Sequence, residues 1–342
     1  MLWVLHTPTG NYIIASNIGA DGKLTPCKAV YTGGLGAHAF PDGVIDALNS
    51  QGSVAVNAVS NLLAVVNPGS HTVSLFLFDA SNSTNLTLVG APISSGGQFP
   101  TSVSFSADGK MLCALNAAMK SPRAPSLLSL KPNVLNQTTS ATGPPGTVSQ
   151  VFVSPDAKNI IVSVKPDDAH SGFLAVWDII NADSSLSLKG LPLDPSTSRW
   201  WTAFRPSPSH DIIDCSGQNR SASFSLDGQI ARCRALYSKE TGNYYLVDAG
   251  TSLAYEIAVD ENLKGSTVNS YSTGNNTAPI DTSLATVSGR GHLYVLDSQT
   301  TEVTVLKLIG PGQAETIQVL DLAGPVRNAG LRIGQFLASL LL

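Results

Sequence analysis

Seven polar residues close seven apolar runs along the chain. They are His6 after Val4-Leu5, Asn67 after Val65-Val66, Asn116 after Ala114-Leu115, Lys165 after Ser163-Val164, Asp214 after Ile212-Ile213, Asp248 after Leu246-Val247 and Asp297 after Val295-Leu296. One imidazole, one amine and three carboxylates on a shared rim are what proton transfer or capture of a polar small molecule needs. Asn and Asp also start turns by bonding the nearby backbone, an explanation that suits His6 and Lys165 less well. Three carboxylates with two amide carbonyls are, in addition, hard oxygen donors of the kind Ca²⁺ or Mg²⁺ takes, although carboxylates on separate repeats stand far apart. No other cofactor is expected.

A second group lies on the connections ahead of the repeats. Gly33-Gly34-Leu35-Gly36-Ala37-His38 opens a long segment that runs to Gln51-Gly52-Ser53, and loops of that length are often functional. His38 is expected over the mouth, as a second proton carrier beside His6. Lys165 and Arg205 are the cations that would neutralise a substrate carboxylate. Gln51, Gln98 with Phe99, Ser149 with Gln150, and Asp281 stand at comparable positions. Trp200 and Trp201 offer an aromatic wall for a sugar or planar ligand, with one of the two turned into the core. Arg123 and His170 fall on further loops. A G-x-S-x-G elbow and a Cys and His pairing are both missing, which argues against nucleophilic catalysis.

These residues need a scaffold that repeats. Each unit has an apolar run, its polar closure, a short turn and a second alternating run, at a period of about 45 residues. Ahead of several units stands another strand and a tight turn, as in Ser102 to Ser106 followed by Ala107-Asp108-Gly109-Lys110. Helical patterning is nearly absent. The pattern predicts an all-β, seven-bladed β-propeller spanning 1–342 as one domain, with blades of four antiparallel strands. Loops joining the outer strand to the next inner strand, and the second strand to the third, then share the upper face. The first strand, Leu2 to Leu5, matches a second strand, so the C-terminal segment, Val326 to Ile333, is expected to complete blade 1 and close the ring. Blade 5 has too few residues between Ser221 to Leu226 and Ala231 to Tyr237 for a regular outer strand.

Charged residues make up 13% of the chain, against roughly a quarter in ordinary soluble domains. Together with abundant Ser, Thr and Gly, this fits a β-rich extracellular protein. A net charge of -4 provides no basic field for nucleic acid. Sequons occur at Asn82, Asn85, Asn136, Asn219 and Asn275, three of them in expected outer loops, a number near chance for this composition. The 4 cysteines lack metal-type spacing, and Cys113 reads as a buried thiol. Trp3 to Asn17 already reads as strand, so any leader is expected to have been removed ahead of it. The tail Phe336 to Leu342 is too short to span a bilayer.

Several stretches resemble one family. They are Thr32-Gly33-Gly34-Leu35-Gly36-Ala37-His38, Ser50-Gln51-Gly52-Ser53-Val54-Ala55-Val56, Val66-Asn67-Pro68-Gly69-Ser70-His71-Thr72-Val73-Ser74, Gly97-Gln98-Phe99-Pro100-Thr101-Ser102-Val103 and Thr241-Gly242-Asn243-Tyr244-Tyr245-Leu246. Together they are similar to the lactonase-type seven-bladed propellers, and especially to their fungal secreted branch, labelled 3-carboxymuconate cyclase-like. The resemblance implies an extracellular, glycosylated fungal protein, cell-wall associated in some members, and an activity that opens or closes lactones. Family inner strands often begin with a His-Pro-His type motif, whereas this chain has Gln98-Phe99-Pro100-Thr101, so no catalytic residue is carried over.

Two functions follow as expectations. One is a lactonase or cycloisomerase acting on a small carboxylated or sugar-derived lactone by acid/base catalysis at the top of the central channel. The other is a non-catalytic secreted propeller that binds glycan or protein there. Both imply a monomer without a membrane span.

Overall fold

The computed structural model describes residues 1–39, 46–118, 147–154, 156–165, 173–179, 186–189, 202–203, 209–214, 220–225, 227–322, 324 and 337–341. Its strands follow one another as antiparallel sheets. The first holds β1 (Leu2–Thr7), β2 (Gly10–Ile18) and β3 (Leu24–Tyr31), and the second β4 (Val54–Asn57), β5 (Leu62–Asn67), β6 (Thr72–Asp79) and β7 (Asn82–Leu88), with β8 (Ile93–Ser94) on β6. A two-stranded sheet follows, β9 (Gln98–Phe105) with β10 (Leu112–Ala118). Next come β11 (Val148–Val153), β12 (Asn159–Val164), β13 (Phe173–Ile179) and β14 (Leu186–Lys189). Three strands, β15 (Thr202–Ala203), β16 (Ser209–Asp214) and β17 (Arg220–Ser225), make the fifth sheet. The sixth has β18 (Arg232–Tyr237), β19 (Tyr244–Asp248), β20 (Leu253–Val259) and β21 (Gly265–Ser272). The last has β22 (Pro279–Val287), β23 (Arg290–Asp297), β24 (Glu302–Gly310) and β25 (Gln313–Asp321).

The architecture is an all-β propeller, with five sheets of at least four strands. β26 (Leu337–Leu341) pairs with β1 and supplies the inner strand of the first sheet. Ring closure by the C-terminus is therefore observed, but with a later segment than expected; Val326 to Ile333 lie outside the described residues. No fourth strand joins β15 to β17 among the described residues, and the next inner strand begins at Arg232.

Burial explains why the second strands read as unbroken apolar runs. Each is covered on both faces by the neighbouring sheets: β1 is buried throughout and β23 from Gly291 onward. Outer strands keep one face or more in water, so β7 buries only Thr84 and Leu86. The core is accordingly divided into clusters between successive sheets. Trp3, Leu5, Tyr294 and Val303 pack the last sheet on the first, and Val4, Ile13, Leu63 and Phe76 pack the first on the second.

Inner strands line up around the axis, with β26 beside β4, β4 beside β9, β9 beside β11, and β18 beside β22. Their free edges are partly met from the adjacent sheet: Ser102 Oγ and Ser104 Oγ accept the N–H groups of Val151 and Val153, each at 3.1 Å. Bulges recur at the upper end of these strands, between Leu115 and Asn116, Val148 and Gln150, Arg232 and Ala235, and Pro279 and Asp281 in the respective pairings. A bulge re-aims the side chains beside it, and bulges cluster next to functional sites.

Candidate functional site

The seven closing residues do stand at or just past the ends of the second strands, but most of them are not an open rim. His6, Asn67, Asp248 and Asp297 are each 0% exposed. Asn67 Oδ1 accepts from Asn11 Nδ2 at 2.8 Å and Thr32 Oγ1 at 2.7 Å, while its Nδ2 donates to Thr72 Oγ1 and Ser74 Oγ. Asp248 accepts the backbone N–H groups of Ile230, Ala231 and Gly250 at 2.8 to 2.9 Å. Asn116 exchanges two bonds with Ser95. These side chains fasten loops to strand ends, the ordinary use of Asn and Asp at a turn. No group of three His, Cys, Asp or Glu residues placed to hold a metal ion occurs among the described residues.

His6 departs from its expected role for the same reason. Its ring is sealed beneath the Gly33-to-His38 segment, and neither nitrogen has a hydrogen-bond partner. Burial, opposed by Asn11 and assisted by the charge of His38, lowers its pKa to about 3, so it is a neutral, fully buried imidazole. The glycines above it have a steric purpose. A Cβ at Gly36 would stand 2.3 Å from the Thr7 nitrogen and 2.6 Å from the His6 carbonyl carbon, and one at Gly34 would meet the Asn67 side chain at 2.4 Å. Asp297 is buried likewise; desolvation raises its pKa to about 7 against a bond from Thr304 Oγ1 at 2.6 Å.

The charged groups that do converge come from elsewhere. After the Gly-rich stretch the chain crosses the top of the inner strands. Ser50 Oγ donates to the Thr101 carbonyl of β9, Gln51 N to the Ser149 carbonyl of β11, and Gly52 O accepts Val103 N–H, all at 2.8 to 2.9 Å. Ala47 and Leu48 are buried in this crossing. Lys165, directly after β12, sends its Nζ to the Asn49 carbonyl and to Thr147 Oγ1. Asp46 Oδ1 accepts the N–H groups of Leu48 and Asn49, each at 3.0 Å.

Asp46 and Lys165 act on each other electrostatically. Burial lowers the Lys165 pKa to about 8, opposed by the Asp46 charge, and burial pushes the Asp46 carboxyl above its ordinary range. Arg234 of β18 holds Asp281 of the neighbouring β22, Nη1 lying 3.2 Å from Oδ1 and 3.3 Å from Oδ2. Asp281 acts on Asp46 and on Cys233. The thiol of Cys233 is pushed up by burial and by Asp46, which keeps it protonated. Lys165, Asp46 and Asp281 are thus linked electrostatically, and Arg234 is bound to the last of them.

Among the remaining expected residues, His38, Gln51, Gln98 and Gln150 are partly exposed on the same upper connections and inner strands. Asp214 ends β16, but its side chain is not among those described. Arg123, His170, Trp200, Trp201, Arg205 and the sequons Asn136 and Asn219 lie outside the described residues. Asn82, Asn85 and Asn275 are exposed; the first two sit on the outer strand β7 rather than in a loop. Cys113 is a buried thiol, raised to about 11 by desolvation. Asp46 and Arg234 were missed from sequence: neither closes an apolar run, and only the alternation within β18 hints that one of its residues faces the channel.

No protein-family model and no curated protein matches the chain. Solved structures do share its fold. A candidate 6-phosphogluconolactonase from Bacteroides fragilis superposes with a TM-score of 0.63 at 14% identity, over 94% of each chain. The periplasmic gluconolactonase of Pseudomonas aeruginosa gives 0.61 at 17% identity, over 94% of this chain and 96% of that one. A functionally unknown protein from Desulfotomaculum acetoxidans gives 0.55 at 10%, over 93% and 95%. At such identities the likeness is one of fold, the all-β propeller. No helix among the described residues is long and apolar enough to cross a membrane.

Proposed function

We propose that the chain is a lactone-processing enzyme that opens or closes a small carboxylated or sugar-derived lactone at the centre of its upper face. The observation that carries this reading is the electrostatic coupling of Lys165 with Asp46, on which Asp281 of the Arg234 pair also acts. A lysine with a pKa near 8 is about one tenth neutral at pH 7, enough to serve as a general base. In hydrolysis, neutral Lys165 takes a proton from water as its oxygen attacks the lactone carbonyl. The ring C–O bond then breaks, and the departing alkoxide takes that proton back from the Lys165 ammonium, which the Asp46 charge favours. Arg234 offers positive charge to a substrate carboxylate or to the carbonyl oxygen.

The finer parts of the reading rest on the sequence. Seven blades in one domain across the chain is the reading we propose, with the two- and three-stranded sheets counted as blades. The motif resemblance favours the fungal 3-carboxymuconate cyclase-like branch. Exposed sequons at Asn82, Asn85 and Asn275 suit secretion and glycosylation, and one fold neighbour is periplasmic. The test is a pH-stat assay of purified protein against glucono-δ-lactone, its 6-phosphate and carboxylated five-membered lactones, comparing wild type with Lys165→Met. Turnover lost in the variant supports the reading. Absence of turnover on every lactone overturns it.

One observation favours the alternative, a non-catalytic binder of glycan or protein. The crossing at 46–52 fills part of the mouth with its own buried Ala47 and Leu48. A glycan array showing binding by the wild type, together with no turnover in the assay above, would select it.

A further inference from the structure

We propose that Asn49 is a ligand-binding residue, its side-chain amide pairing with the Lys165 amine as two donors to one ligand oxygen, from a carboxylate or a lactone carbonyl. The proposal deepens the lactone reading and rests on the same mouth. Asn49 is 7% exposed, and its Nδ2 is buried without a hydrogen-bond partner. Leaving a buried donor unmet costs more than a typical hydrogen bond contributes, so such a group calls for an explanation.

The surroundings of Asn49 are otherwise satisfied. Asp46 Oδ1 takes its N–H, Lys165 Nζ donates to its carbonyl, Ser50 Oγ has the Thr101 carbonyl, and Gln51 N has the Ser149 carbonyl. The residue is held at φ 50, in the left-handed region where Asn is tolerated and most side chains are not. Four neighbouring anchors and an uncommon backbone conformation therefore fix an amide that bonds nothing. In its protonated form, before and after it serves as the base, Lys165 has three N–H donors and spends two, on Asn49 O and Thr147 Oγ1. Nζ thus reaches the backbone of the residue that carries the unpartnered Nδ2. Two adjacent donors select an acceptor, and the lysine charge favours an anionic or strongly polarised one. A carboxylate oxygen, or the carbonyl oxygen that gains charge as a lactone is attacked, meets both conditions.

The experiment uses acetate and gluconate as probes on the whole chain. Crystals soaked in each are expected to show a probe oxygen within hydrogen-bond distance of Asn49 Nδ2 and Lys165 Nζ. Calorimetric titration with gluconate is expected to weaken roughly ten-fold in Asn49→Gly, which keeps the left-handed backbone and removes the amide. Asn49→Asp, which sets a carboxylate in place of the donor, is expected to weaken it further. Nδ2 bonded to a chain atom or to one water that persists in both soaks overturns the proposal, as does gluconate affinity unchanged in Asn49→Gly or no gluconate binding by the wild type. Lactone turnover with unchanged Asn49→Gly affinity sinks this site alone. Probe density at Nδ2 without turnover of any lactone leaves the site standing and sinks the enzymatic reading.

Discussion

Asp46 and Lys165 grip the same residue from opposite sides. The Asp46 carboxylate takes the N–H of Asn49 at 3.0 Å, and the Lys165 amine donates to its carbonyl across 116 residues of sequence. The loop between the first two sheets is thereby fastened to the fourth, and an acid and a base of mutually adjusted pKa are set at one point.

The first consequence concerns pH. As pH rises through about 8, Lys165 loses its proton and becomes a base, so kcat/KM is expected to climb with a midpoint near 8. Lys165→Met should lower turnover by roughly 10²- to 10⁴-fold and flatten that limb. A rate profile measured from pH 5 to 10 on any lactone that is turned over checks this, and an unchanged limb in the variant assigns the base elsewhere.

Removing the acid should shift the amine even without substrate. The Asp46 charge raises the Lys165 pKa, so Asp46→Asn is expected to lower it below its wild-type value. Competitive acetylation of Lys165, read by mass spectrometry across pH, measures the midpoint in both proteins. Equal midpoints would mean that the two groups do not feel each other.

His6 and Asp297 should pull acid and alkaline stability in opposite directions. The folded pKa of His6 is lowered from 6.5 to about 3, so its contribution is present above pH 6.5 and is lost as pH falls towards 3. His6→Gln is expected to reduce the acid sensitivity of unfolding while leaving the rate profile in place. Urea denaturation at pH 4 and pH 7 separates the two proteins; parallel losses in both would contradict a buried neutral imidazole.

For Asp297 the folded pKa is raised from 3.8 to about 7, so the fold prefers the protonated acid. Stability is then highest below the unfolded value near 4, falls as pH rises to about 7 and levels off above it. Asp297→Asn, which keeps an acceptor for Thr304, should match wild type near pH 4 and exceed it at pH 8. Denaturation midpoints at those two pH values decide the sign.

Gly36→Ala should destabilise by about 1–3 kcal/mol, since the added carbon meets backbone atoms of His6 and Thr7 that cannot rotate away. Gly310→Ala, where a Cβ meets nothing within 4 Å, is the control expected to stay near wild type. Thermal melts of the three proteins distinguish a steric role for Gly36 from a general effect of losing glycine.

Much of the architecture was legible in the chain. The second strands announce themselves as apolar runs because both of their faces are buried, and each ends on a polar residue because the chain turns there. Among the described residues no outer strand follows β17, in keeping with the simple spacing. Such features are local: period, alternation and turn chemistry act over a few residues. The C-terminal inner strand was legible in kind but not in position, since Leu337–Leu341 and the preceding apolar segment carry similar patterns and only pairing with β1 chooses between them.

The site was hidden for the opposite reason. His6, Asn67 and Asp248 have the residue types of a catalytic rim, yet packing buries them and spends the oxygens of the latter two on loops. Asp46 belongs to no motif, and Arg234 meets Asp281 only because β18 and β22 are neighbours around the axis. Whether a polar side chain faces substrate or clasps its own backbone depends on how far neighbouring sheets shield it from water, and that is settled only when the ring is closed.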